Sequence, residues 1–112
     1  TMIDADGVLL PVSCAIPCGL IINELVTNSL KHAFPNRSAG VIRVGLHTRG
    51  QDRVELTVAD DGVGLALDID PRRVTSLGLD LVYTFAEQLS AEVELQRTNG
   101  TVFRFLFTIV PE

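Results

Sequence analysis

The stretch Asn23-Glu24-Leu25-Val26-Thr27-Asn28-Ser29-Leu30-Lys31-His32 decides how this chain folds. Ile21, Ile22, Leu25, Val26, Ser29 and Ala33 recur at helical spacing and form a stripe suited to burial. Glu24, Asn28 and Lys31 recur at intervals of four and three residues, so they share one face of that helix, with His32 close by. That face is polar on an otherwise apolar helix. Asn23, Thr27 and Asn28 are mediocre helix formers that bring nothing a solvated surface needs. Their chemistry fits a site better: Asn and Glu oxygens suit a hard cation such as Mg²⁺, and a Lys ammonium suits phosphate.

Working outward, Pro17 sits where a helix can begin without losing a hydrogen bond, and Pro35-Asn36 stops the helix after Phe34. Ahead of it, Val8–Ser13 reads as a short apolar strand, and Pro11 confines it to a sheet edge. Beyond it, Val41, Arg43, Gly45 and His47 alternate with Ile42, Val44, Leu46 and Thr48, the pattern of a half-buried strand. Gly50-Gln51-Asp52 turns the chain into a partner strand, Arg53–Ala59, with Val54, Leu56 and Val58 inward. Leu77–Leu89 reads as a second helix whose stripe is Leu81, Phe85 and Leu89, widened by Leu79 and Val82. Glu92–Arg97 and Thr101–Ile109 form a closing hairpin around Thr98-Asn99-Gly100. The expected architecture is α+β: a two-layer α/β sandwich with a mixed, mostly antiparallel sheet and the helices on one face. A chain of 112 residues makes one domain.

Asp60-Asp61-Gly62-Val63-Gly64 follows the second long strand. Glycines alone mark only a turn. An acid at a strand end ahead of two glycines offers more: the carboxylate accepts from an exocyclic amine while the glycines let a ring approach the backbone. The segment from Asp61 to Ser76 is a loop longer than most connections, which points to function. Ser76-Leu77-Gly78-Leu79 precedes the second helix, whose free N–H groups and dipole suit an anion.

A net charge of −5 argues against a general nucleic-acid binder and against contact with acidic membranes. No apolar run is long enough to span a bilayer, and no signal peptide is visible, so the expected location is the cytoplasm. Cys14 and Cys18 are the only cysteines, and no suitably spaced His completes a metal site with them. They read as small buried hydrophobes.

The order of these pieces resembles the ATP-binding domain of sensor histidine kinases, in the superfamily shared with DNA gyrase B, Hsp90 and MutL. Asn28 with Lys31 matches the family's N box, Asp60, Gly62 and Gly64 its first glycine box, and Ser76–Val82 its second. Gly100-Thr101-Val102-Phe103 resembles its terminal Gly-Thr strand. The wording Asn23–Pro35 is most similar to bacterial kinases with a short, atypical phosphoacceptor region. The chain departs from the pattern in two places. Ser76 stands where a glycine usually begins the second box, and the lid from Leu65 to Thr75 is short and lacks a phenylalanine motif.

The resemblance implies a Bergerat-type fold, ATP and Mg²⁺ as cofactors, and residue roles. Asn28 holds Mg²⁺, Lys31 and His32 contact phosphate, and Asp60 accepts from the adenine N6 amine. Gly62 and Gly64 line the adenine slot, Gly78 and Leu79 bring helix-end N–H groups to the phosphates, and Thr101 supports the adenine pocket. Glu24 occupies the position of a general base in gyrase-type ATPases, where it orders water or the metal's waters. Neither His32 nor His47 lies on a helix able to pair with a second chain, so the phosphoacceptor and dimerisation segment is expected upstream in a longer multidomain parent, with a response regulator downstream. Thr1 ahead of Met2 fits such a fragment. Two alternatives stand beside this reading: an anti-sigma-factor type serine kinase of the same superfamily, and a relic that binds a partner without nucleotide.

Overall fold

The computed structural model describes residues 2–4, 8–30, 41–61, 79–97 and 100–109. Among these residues, five strands and two helices follow one another as β1 (Met2–Asp4), α1 (Val12–Asn28), β2 (Ile42–Arg49), β3 (Arg53–Asp60), α2 (Leu79–Gln88), β4 (Glu92–Gln96) and β5 (Thr101–Thr108). The sheet order is β1-β2-β3-β5-β4. β1 runs parallel to β2, and every other pair is antiparallel. This is the two-layer α/β sandwich that the alternation and the two helical stripes predict.

Side-chain alternation explains the layering. Val54, Leu56 and Val58 of β3 and Phe103, Phe105 and Phe107 of β5 point to one face, where they meet Cys18, Ile21 and Leu25 of α1 and Leu79, Val82 and Ala86 of α2. Phe105, Val54, Leu56, Val82 and Ile21 are wholly buried. With no Trp available, the two phenylalanines Phe103 and Phe105 supply much of the core's bulk, their rings stacked with centroids 6.0 Å apart. The opposite sheet face carries charge. Arg104 pairs with Glu94 at 3.0 Å and Arg49 with Glu55 at 2.9 Å, exposed contacts worth at most about 1 kcal/mol each.

Two local expectations need correction. Residues 8–10 form no strand; Pro11 instead caps α1, its carbonyl accepting from the Cys14 and Ala15 amides at 2.9 Å. Pro17 therefore lies inside the helix and is buried there. The apolar stripe through Cys18, Ile21 and Leu25 outweighs the one hydrogen bond that Pro17 cannot make. On α2, Leu81 is exposed, and the buried face is Leu79, Val82, Ala86 and Leu89. A step of three, then four, then three keeps those residues on one side, whereas a strict step of four drifts off it. The helix ends on Ser90 at φ 52°, with the Ala91 amide reaching back to the Ala86 carbonyl at 3.0 Å.

Candidate functional site

β3 ends on Asp60, which lies in register with Ile42 of β2 on one side and Thr101 of β5 on the other. The C-terminal end of α1 arrives above it. There the Ser29 hydroxyl donates to Asp60 Oδ2 at 2.9 Å. Ser29 is buried, and it directly follows Asn28, which is half-buried. One helical turn earlier is Glu24, also half-buried. Thus the polar end of α1, the acid at the end of β3 and the first residue of β5 converge.

Gly100 makes this convergence possible. It takes φ 103°, and a Cβ on it would collide with the Asp60 carbonyl oxygen while standing 3.1 Å from the Asp60 carbonyl carbon and 3.2 Å from Asp61 Cα. Only glycine lets β5 begin this close to the backbone that carries Asp60. Asp61 does a different job. Its Oδ1 accepts from the Val41 amide at 2.9 Å, and its own amide donates to the Val41 carbonyl at 3.2 Å. That reciprocal pair ties the exit of β3 to the entry of β2, so Asp61 holds backbone while Asp60 faces the helix.

Of the residues singled out from sequence, Glu24, Asn28, Asp60, Leu79 and Thr101 are described. Asp60 and Thr101 pair directly, and Ser29 links them to the Asn28 end of α1. Leu79 opens α2 with its side chain buried in the core, so any contact with a ligand there falls to backbone. Lys31, His32, Gly62, Gly64 and Gly78 lie outside the described residues, as does the lid from Leu65 to Thr75. His47 is half-buried in β2 and faces a groove of about 600 Å³ on the sheet face opposite the helices, together with Arg43, Thr57 and Arg104. Among the described residues, that groove contains none of the predicted site residues.

Ser29 is the residue that sequence reasoning missed. It reads as a small member of the apolar stripe. A hydroxyl at a core position requires a partner, and that requirement was the available signal. The donor set fits a nucleotide and its metal. Among the described residues no three His, Cys, Asp or Glu side chains cluster into a protein-only metal site. Mg²⁺ is commonly held by one or two protein oxygens plus phosphates and waters, and Asn28 with Glu24 offers that number. Cys14 and Cys18 are free thiols; Cys18 is buried in the core, as its sequence context predicts, while Cys14 is only half-buried against it.

Residues 15–111 match the family of histidine kinase-, DNA gyrase B- and HSP90-like ATPases. Blue-light-activated histidine kinase 2 of Erythrobacter litoralis is 35% identical over 101 residues, which cover 89% of this chain and 29% of that protein. The solved histidine kinase domain of an Erythrobacter litoralis blue-light-activated kinase superposes with a TM-score of 0.87 at 33% identity, over 96% of this chain and 50% of that one. An anti-sigma F factor of Heyndrickxia coagulans is 27% identical over 95 residues, 75% of this chain and 63% of that protein. The chain spans half or less of the length of the two Erythrobacter kinases it matches.

Proposed function

The chain belongs to the histidine kinase-, DNA gyrase B- and HSP90-like ATPase family as a domain of the histidine-kinase type, and from that membership we propose that it is the ATP-binding catalytic domain of a two-component sensor kinase. It donates the ATP γ-phosphoryl to a histidine outside residues 1–112, on a dimerisation segment of a longer parent, and a response regulator takes the phosphoryl onward. The convergence of Ser29, Asp60 and Thr101 carries this reading, because it puts the polar end of α1 beside an acid fixed at a strand end. Asp60 accepts from the purine 6-amine, and Thr101 supports the pocket beside it. Asn28 and Glu24 supply oxygens to Mg²⁺, which neutralises phosphate charge when bound. Lys31 and His32 contact the phosphates. Gly62 and Gly64 line the adenine slot, and Gly78 and Leu79 offer backbone N–H groups at the start of α2. The chemistry then rests on holding nucleophile and phosphorus in line, which is worth several kcal/mol of the barrier.

The anti-sigma F factor relatives and a serine-protein kinase relative favour one second reading, a serine kinase acting on a bound protein. Two measurements separate the possibilities. Calorimetric titration of the chain with Mg-ATP should show binding, and no heat at millimolar nucleotide would leave a partner-binding relic. Incubating the full-length parent with γ-labelled ATP should give an acid-labile phosphohistidine, while the isolated chain stays unlabelled. An acid-stable label on a partner protein would select the serine kinase. Robust self-labelling of the isolated chain, lost in His32→Ala, would refute an external acceptor.

A further inference from the structure

We infer that Ser29 is a positioning residue for purine choice: its hydroxyl sets the Asp60 carboxylate in the orientation that favours a 6-amino over a 6-oxo purine. The inference rests on the reading of Asp60 as the acceptor for that amine. Three observations carry it. The Ser29 hydroxyl lies 2.9 Å from Asp60 Oδ2 across thirty-one residues of sequence, so the contact is a product of tertiary structure. Ser29 is only 6% exposed and is the one buried polar residue among those described. Its backbone is held by its own helix, with the amide directed at the carbonyls of Leu25 and Val26. A serine in a helix commonly donates back to a carbonyl one turn earlier. Here the proton goes to Asp60 instead.

The consequence is directional. A carboxylate on a two-bond side chain swings about χ1 and χ2, and a donor fixed on Oδ2 removes much of that freedom. It also keeps Asp60 an acceptor, because the hydroxyl proton already points at it. A 6-amine meets that acceptor. A 6-oxo group faces it with a lone pair, and the mismatch is costly in a buried setting. Because Ser29 follows Asn28 directly, the same turn of α1 that offers the metal-binding oxygen also anchors the base-reading acid. Purine choice and phosphate position are therefore set from one helix end.

The test compares ADP with IDP, which differ at purine position 6, by calorimetry on the chain and its variants. Ser29→Ala should lower ADP affinity about tenfold and leave IDP nearly unchanged, so that the ADP/IDP ratio falls by about the same factor. Ser29→Thr keeps the hydroxyl and should restore the ratio. In the Asp60→Asn background, Ser29→Ala should change the ratio by less than twofold, since its route to the ligand is gone. A Ser29→Ala protein that loses ADP and IDP equally, or keeps the wild-type ratio, overturns the inference and leaves Ser29 a packing residue. An unchanged ratio in Asp60→Asn alone would instead overturn the reading of Asp60 itself.

Discussion

Replacing Gly100 with alanine tests whether the start of β5 holds the site acid in place. Two costs follow from the geometry. A residue with a Cβ at φ 103° is strained by about 1–3 kcal/mol. The new methyl also meets the Asp60 carbonyl oxygen head-on and lies 3.1 Å from its carbon, so backbone must move, at roughly another 1–3 kcal/mol. The sum, roughly 2–6 kcal/mol, is a large share of a typical domain's stability and lowers the melting temperature by about 8–25 °C. Gly50 provides the matched control. It has φ 81° in the turn between β2 and β3, at the far end of the strand from Asp60, and a Cβ there meets nothing within 4 Å. Gly50→Ala therefore carries only the conformational cost and should leave nucleotide affinity intact. Thermal unfolding followed by circular dichroism reads the stabilities, and ADP titration of the folded variants reads the site. Equal destabilisation by the two substitutions, or a Gly100→Ala protein with wild-type ADP affinity, would refute the claim that Gly100 clears space for Asp60.

Asn28→Ala should weaken Mg-ATP by about tenfold or more while metal-free ADP changes little, measured by titration with and without EDTA; a uniform loss would mean that Asn28 serves the fold. Burial pushes the Cys18 thiol from 9.0 up to about 12, with the neighbouring Cys14 adding to the shift, so iodoacetamide at pH 8 should label half-exposed Cys14 first and Cys18 only after unfolding in urea. The same shift has a sign for stability. Between pH 9.0 and about 12 the folded protein keeps a proton that the unfolded chain has lost, so stability falls as pH rises through that window, and Cys18→Ala should flatten the fall in denaturant titrations.

What the sequence made legible is local. Alternation in Val41–Thr48 and Arg53–Ala59 marked both strands and, for the second, the inward face of Val54, Leu56 and Val58, because a period of two has no other regular reading. The 3.6-residue stripe on α1 likewise placed Ile21 and Leu25 in the core. The N-terminal boundary failed for a physical reason. Pro17 reads as a helix start and Pro11 as the break in an edge strand, and what moves the start back to Val12 is that Cys14 and Cys18 have a core to pack against. Leu81 failed the same way: its hydrophobicity is real, but α2 presents its other side to the sheet.

The site shows the same division more sharply. Asn28 and Asp60 can be found by spacing because each sits in a short motif. Parity also separates Asp60 from Asp61: Asp60 continues the inward series Val54, Leu56 and Val58, and only the bonds to Val41 reveal the separate task of Asp61 just past the strand end. Ser29 is the limiting case. Nothing in the helix itself separates a serine that packs from one that binds, and its role is defined by a carboxylate thirty-one residues away. Substituting Asp61→Asn should therefore leave the purine ratio untouched, because its duty is to the Val41 amide. Asp60→Asn should abolish that ratio, although the two acids are neighbours of identical chemistry.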